Sequence, residues 1–444
     1  MNTTKKSRLI YISIVVTTLV AILVFSLCAC QAQSSYNDTG EKHGLPHFDG
    51  YKLKQTTVLS RHNIRSPLTD GGSTLTKVTP HKWFDWTSKP SELSLRGGEL
   101  ETVMGQYFAK YLQSEGLISE NWEPKDDEAF FYANSAQRTI ATAKYFSAGL
   151  LPVADAKVYH KYALGGKDDV FLPLQVYVND KIKEQIKKEI NEKFDLGNIN
   201  KNLSEEYKTL EYVLDFKDSE YAKEKNITSF EQDMPEINIK QNDEITTTGT
   251  LKAANEACDA LKLQFYEEEN DKTAAFGHDM TMQQWTQIGK IGDTYENVLF
   301  GTHTAAVGAS NRICAELLKD INNKNRKFTF LCGHDSTILS LLTALDAKEY
   351  HLPNAIEQDT PIGVKLVFNK YLGQDGVEYC SINLVYQSID QLRHKQSVDM
   401  NHPPEKCDIE LNGLTKNDAG LYKMSDVKSR LNKVIDEYRN NVRN

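Results

Sequence analysis

Twice in this chain a short run of apolar and β-branched residues stops at a compact polar motif. Thr56-Thr57-Val58-Leu59-Ser60 leads into Arg61-His62-Asn63-Ile64-Arg65-Ser66-Pro67. Phe328-Thr329-Phe330-Leu331-Cys332 leads into Gly333-His334-Asp335-Ser336 and then a helix-like stretch from Thr337 to Leu345. Such runs read as strands, and strands followed by helices read as an α/β sheet. In open α/β sheets the loops at the carboxyl ends of neighbouring strands converge on a ligand. The two motifs are therefore expected to meet in space.

The rest of the chain is arranged around that sheet. Lys181 to Phe194 and Glu205 to Phe216 are charged amphipathic stretches, and Thr228 to Thr248 is a polar connection. Residues 167–270 are accordingly expected to be a mainly helical insertion. The fold class is α/β: a large domain of residues 47–166 and 271–444 with a central, mostly parallel sheet flanked by helices, plus a smaller helical cap domain inserted in it. Lys5, Lys6 and Arg8 precede a nearly continuous apolar run from Leu9 to Leu27, which makes residues 1–30 an export signal. Its end, Leu27-Cys28-Ala29-Cys30, resembles a lipobox, so Cys30 is the expected lipid attachment. An uncleaved membrane anchor is the alternative, since about 20 apolar residues span a bilayer. Residues 31–46 are polar and read as a flexible stalk. Both readings put the protein in the cell envelope, in the periplasm or at the cell surface, tied to a membrane by its N-terminus.

A formal net charge of −9 argues against nucleic acid as a partner, so any anion site must be local. Beyond the leader stand Cys258, Cys314, Cys332, Cys380 and Cys407. An odd number cannot all pair, and the absence of CxxC spacing disfavours zinc on these residues. Cys258 recurs with Leu251, Ala254, Leu261 and Phe265 at helical spacing, which places it on the buried face of a helix.

Hydrolysis of a phosphate monoester without a metal needs three things: a nucleophile in line with the leaving oxygen, fixed positive charge around the phosphoryl oxygens, and a proton for the departing group. His62 can attack through a neutral ring nitrogen, and Arg61 and Arg65 flank it with guanidinium groups suited to phosphate. Gly-His-Asp occurs twice, at Gly277-His278-Asp279 and at Gly333-His334-Asp335. Only the second sits at a strand end and opens a helix, so His334 and Asp335 take the functional assignment. A histidine at a helix N-terminus can donate to a phosphoryl oxygen, with the helix dipole assisting. Asp335, if it holds a proton with substrate bound, can act as general acid. Arg138, in Tyr132-Ala133-Asn134-Ser135-Ala136-Gln137-Arg138-Thr139, is a third contributor to the phosphate clamp.

At these residues the sequence resembles the histidine acid phosphatases, the two-domain branch of the histidine phosphatase superfamily, and within them the periplasmic glucose-1-phosphatase group. The likeness runs from about Tyr51 to the C-terminus and includes Lys82-Trp83-Phe84-Asp85-Trp86, an Arg96-Gly97-Gly98 turn, Leu341 to Asp346, and Thr360-Pro361-Ile362-Gly363. The resemblance implies His62 as nucleophile, Arg61, Arg65, Arg138 and His334 as phosphate ligands, Asp335 as proton donor, and no metal or other cofactor. Asn63 in place of a glycine narrows the likeness to the glucose-1-phosphatase group. Thr337, where relatives commonly carry asparagine, is expected to alter contacts to the leaving group. The lack of cysteines near residues 220–228 and 413–422 suggests a host that relies little on disulfides.

The expected function is therefore hydrolysis of small phosphorylated metabolites such as glucose 1-phosphate through a phosphohistidine. A phytase, acting on inositol hexakisphosphate with the same residues, is one alternative; a lipid-anchored protein that binds phosphate esters without catalysis is the other. The oligomeric state is open.

Overall fold

The computed structural model describes residues 44–69 and 73–443, so the expected export leader, Cys30 and the stalk as far as residue 43 lie outside the described residues. In chain order the main elements are β1 (Tyr51–Arg61), α1 (Leu95–Ser114), β2 (Ala129–Ala133), α2 (Gln137–Leu150), β3 (Val158–Tyr159), α3 (Asp180–Phe194) and α4 (Ser204–Leu214). There follow α5 (Gly249–Glu267), α6 (Met282–Phe300), α7 (His303–Ile321), β4 (Phe328–Gly333), α8 (Asp335–Ala344), β5 (Lys365–Gly373), β6 (Glu378–Tyr386), β7 (Glu405–Asp408), β8 (Tyr422–Lys423) and α9 (Met424–Arg443).

Both runs expected as strands are strands, and they are neighbours: β1 pairs in parallel with β4, from Thr56 opposite Phe328 to Arg61 opposite Gly333. β4 pairs in parallel with β2, and β2 with β3. On its other edge β1 runs antiparallel to β5, β5 to β6, and both β7 and β8 to β6. The result is one eight-stranded sheet, ordered β8-β6-β5-β1-β4-β2-β3 with β7 beside β6. The fold is mixed α/β, with the parallel strands on the side that carries both polar motifs.

Successive strand residues face opposite ways, and here both faces are covered. Val58, Phe328, Phe330 and Val367 pack under α1 and α2, whereas Leu59, Leu331, Leu366 and Phe368 pack under α7, α8 and α9. That double burial explains why the central strands read as apolar runs rather than as an alternation. A third cluster is helical. Ile186 and Ile190 of α3, Tyr207 and Leu210 of α4, and Leu251, Ala254, Cys258 and Leu261 of α5 share it, so Cys258 lies where its helical spacing puts it. Trp285, Ile288 and Ile291 of α6 extend the same cluster past residue 270. All five of the cysteines named above are free thiols, four of them buried. Among the described residues, no helix is long and apolar enough to cross a membrane.

The contact between α1 and α2 is the tightest crossing over the sheet. A Cβ on Gly105 would stand 2.2 Å from the Phe146 carbonyl oxygen, and one on Gly149 would stand 2.1 Å from that of Thr102. Only hydrogen fits between these backbones. Gly105→Ala should therefore force the helices apart and lower unfolding stability by about 1–3 kcal/mol. Urea titration against the parent protein measures it, and an unchanged midpoint would contradict the close crossing.

Candidate active site

The carboxyl ends of β1, β4 and β2, three adjacent parallel strands, deliver the side chains singled out from the sequence. β1 ends in Arg61 and runs into His62 and Arg65; β4 runs into His334 and Asp335; β2 runs into Asn134 and, through the first turn of α2, Arg138. Backbone pairing continues past the strands, with His62 N–H donating to the Gly333 carbonyl at 3.2 Å and Asn134 N–H to that of Cys332 at 2.9 Å. All six of Arg61, His62, Arg65, Arg138, His334 and Asp335 line one cleft. His278, from the other Gly-His-Asp copy, does not line it.

His62 is buried, and its Nδ1 lies 2.9 Å from the Asn63 carbonyl oxygen. A carbonyl can only accept, so Nδ1 carries the proton and the Nε2 lone pair is left free. Burial, followed by the positive charges of Arg138 and Arg65, lowers its pKa well below the ordinary histidine value. The ring is thus a neutral base with an available nitrogen, the form a nucleophile requires.

His334 sits 5.5 Å from His62, ring centroid to ring centroid. Asn134 Nδ2 donates to its Nε2 at 2.6 Å, while Asn134 Oδ1 accepts from Ser135 N–H at 2.8 Å, which fixes the amide's orientation. Asn134 and the Arg138 guanidinium can both only donate to the ring, and the shorter contact, that of Asn134, places the His334 proton on Nδ1, which stands 3.5 Å from Arg138 without accepting from it. Burial and Arg138 push the ring's pKa down to about 3, so it too is neutral and offers one N–H donor. Asn134 was present in the sequence motif, but no local signal marked it as the residue that sets this tautomer.

Asp335, expected to act as general acid if it holds a proton with substrate bound, faces Arg61, whose Nη2 lies 2.9 Å from its Oδ2. Burial raises the pKa, but Arg61 and then His334 outweigh it and hold the carboxyl at about 2. Beside Arg61, Asp335 is ionised. Arg65 is likewise engaged, 3.1 Å from Asp259, and Arg61 Nη1 donates to the Thr360 carbonyl at 2.6 Å. Burial and the nearby Arg65 charge bring the Arg138 pKa down to about 10, so it remains a cation.

Beneath the His62 loop lies a fully buried ion pair, Lys365 Nζ to Glu101 Oε1 at 2.9 Å. Asn63 Nδ2 donates to the same carboxylate oxygen at 2.7 Å, and Lys365 donates to the Gly363 carbonyl at 2.7 Å. The asparagine that narrowed the family likeness is thus a brace. Gly97 is part of the same packing, since a Cβ there would stand 2.4 Å from the Ile64 carbonyl oxygen. Arg96-Gly97-Gly98 is the first turn of α1, not a loop turn. Thr337 also corrects an expectation: it is buried, accepts from His334 N–H at 3.0 Å and donates to the Phe171 carbonyl, so it supports the loop and does not line the cleft.

The far wall comes from the helical part. Glu244, Glu256 and Asp259 line it, with Asp293 and Glu296 from α6. The one lysine there, Lys262, is buried 3.6 Å from Glu357. Burial and the Asp335 charge raise the Glu296 pKa well above the ordinary carboxylate range. The cleft therefore has a cationic floor and a carboxylate wall.

Over residues 52–385 the sequence matches the family described as the histidine phosphatase superfamily (branch 2). It is 35% identical over 373 residues to a glucose-1-phosphatase of Salmonella typhimurium, covering 82% of this chain and 88% of that one. A glucose-1-phosphatase of Providencia rettgeri is 32% identical over 391 residues, covering 87% and 92%. Among solved structures, the apo form of a Hafnia alvei phytase aligns with a TM-score of 0.81 at 23% identity, over 88% of this chain and 99% of that one.

Two measurements follow from the geometry. Nitrogen-15 NMR should find His62 and His334 both titrating below the ordinary value of about 6.5; a midpoint near 6.5 for either ring would contradict the buried cationic setting. Lys365→Met should lose about 3–5 kcal/mol of stability because Glu101 is left charged and alone. The double change with Glu101→Gln should recover much of that loss in urea unfolding, and no recovery would mean the pair is not the cause.

Proposed function

Because the chain belongs to the histidine phosphatase superfamily, branch 2, we propose that it hydrolyses small phosphate monoesters such as glucose 1-phosphate through a phosphohistidine on His62. It is a phosphatase of the histidine acid type, and its substrate is a small phosphorylated molecule. One observation carries the choice of substrate: apart from the arginines that would hold the phosphate, the charged residues lining the cleft are mostly carboxyls, among them Glu244, Glu256 and Glu296. Neutral sugar hydroxyls suit such a wall as hydrogen-bond donors. Beyond the arginines of the clamp, the lining offers the surrounding phosphates of an inositol hexakisphosphate one cation, Lys262, which is buried 3.6 Å from Glu357.

In this mechanism Arg61, Arg65, Arg138 and His334 Nδ1–H hold the phosphoryl oxygens, and His62 Nε2 attacks phosphorus opposite the leaving oxygen. Asp335 supplies the leaving-group proton. It acquires that proton as substrate binds: phosphate draws Arg61 away from the carboxylate and adds negative charge beside it, and both changes raise its proton affinity. Water then cleaves the phosphohistidine. Residues 167–270 are the cap in this reading, contributing the wall that selects the leaving group. The export leader and Cys30 supply the reasons for placing the enzyme outside the cytoplasmic membrane on a lipid anchor.

Brief incubation with labelled glucose 1-phosphate should trap an acid-labile, alkali-stable phosphoenzyme that is missing in His62→Ala, whose kcat should fall on the order of a thousandfold or more. Turnover on glucose 1-phosphate should exceed that on phytate in kcat/KM. The reverse order would make phytase the better reading, and a trapped phosphoenzyme in His62→Ala would sink the mechanism.

A further inference from the structure

The second Gly-His-Asp copy takes no part in the cleft, yet its histidine is not idle. We propose that His278, together with His81 and Asp215, forms a binding site for a divalent transition-metal ion of the zinc class. His81 Nε2 lies 2.7 Å and His278 Nε2 3.2 Å from the same atom, Asp215 Oδ2. The three donor atoms all fall within 4.8 Å of one another. Zinc bonds of about 2.0–2.2 Å to nitrogen and oxygen place tetrahedral ligands about 3.3 Å apart. Two of the three separations are already near that spacing, and a small rotation of one ring closes the third.

The ligands are held in place before any ion arrives. His81 stacks on Phe276 at 4.9 Å with 14° between the planes, and Phe276 is in turn packed edge-on by Trp83 at 5.1 Å. Tyr212 meets His278 edge-on at 4.6 Å. Asp215 caps α4 in the left-handed conformation, at φ 46°, which turns it off the helix end. The three side chains are 29%, 42% and 19% exposed, so an ion has a way in and water can complete its coordination.

In the empty site each ring can donate Nε2–H to the carboxylate. With the ion bound, each neutral ring carries its proton on Nδ1 instead and gives the Nε2 lone pair to the metal. Two imidazoles and one carboxylate form a borderline donor set that favours zinc, cobalt or nickel over magnesium and calcium. None of the three residues lines the phosphate cleft, so the ion's effect is to fasten three chain segments together.

The test uses the purified protein freed of metal by chelation. Calorimetry should show one Zn2+ bound per chain, with the melting midpoint rising with Zn2+ concentration, and no comparable effect of Mg2+. His81→Ala and His278→Ala should each abolish that binding, whereas His303→Ala at a separate surface site should retain it. If the alanine variants fail to fold, X-ray absorption at the zinc edge of the wild-type complex answers the same question. Back-scattering from two imidazoles supports the site. Its absence, failure of the folded wild type to bind Zn2+, or binding retained in either folded alanine variant would overturn the proposal.

Discussion

Everything at the cleft rests on the buried pair of Glu101 and Lys365. It joins α1 to β5 directly under the loop that leaves β1, and through Asn63 it holds that loop in the shape that turns His62 and Arg65 to the same side. Burying two charges is costly, and an apolar pair of similar volume could be as stable. What the ion pair adds is direction. Lys365 also donates to the Gly363 carbonyl, and Gly363 N–H donates to the His62 carbonyl, so one ammonium group positions both loops beside His62.

Above that foundation the site is a balance of like charges. Three arginines in one buried cleft would repel one another, and each would suppress protonation of the histidines. Carboxylates absorb part of this: Asp335 and Glu357 stand against Arg61, and Asp259 against Arg65. The balance leaves both imidazoles neutral and keeps Asp335 ionised. In the proposed mechanism a phosphate replaces these carboxylates as the partner of the arginines, which links the binding of substrate to the protonation of Asp335.

Much of this was legible in the chain. β1 and β4 announced themselves because strands buried on both faces must be apolar throughout, and a polar motif after such a run has nowhere to go but the strand end. The helical spacing around Cys258 placed it correctly for the same reason of burial. Other features were not legible. The partner of Asp335 is one of them: Arg61, more than two hundred residues earlier, stands against its carboxylate across the β1–β4 pair. Thr337 was expected to alter contacts to the leaving group, and its inward bonds to His334 N–H and the Phe171 carbonyl were not legible. The antiparallel continuation of the sheet through β5 and β6 left no distinct mark in the sequence.

The sequence by itself determined which chemistry is present: a histidine between arginines after one strand, a histidine and an aspartate after another, and an arginine after a third. These are local patterns, and local patterns survive in one dimension. Only the tertiary structure decided the charge state of those groups, the tautomer of each ring, the acidic character of the opposite wall and the convergence of His81 and His278 on Asp215. Electrostatic energies depend on distance and burial, and both are set by contacts between segments far apart in the chain.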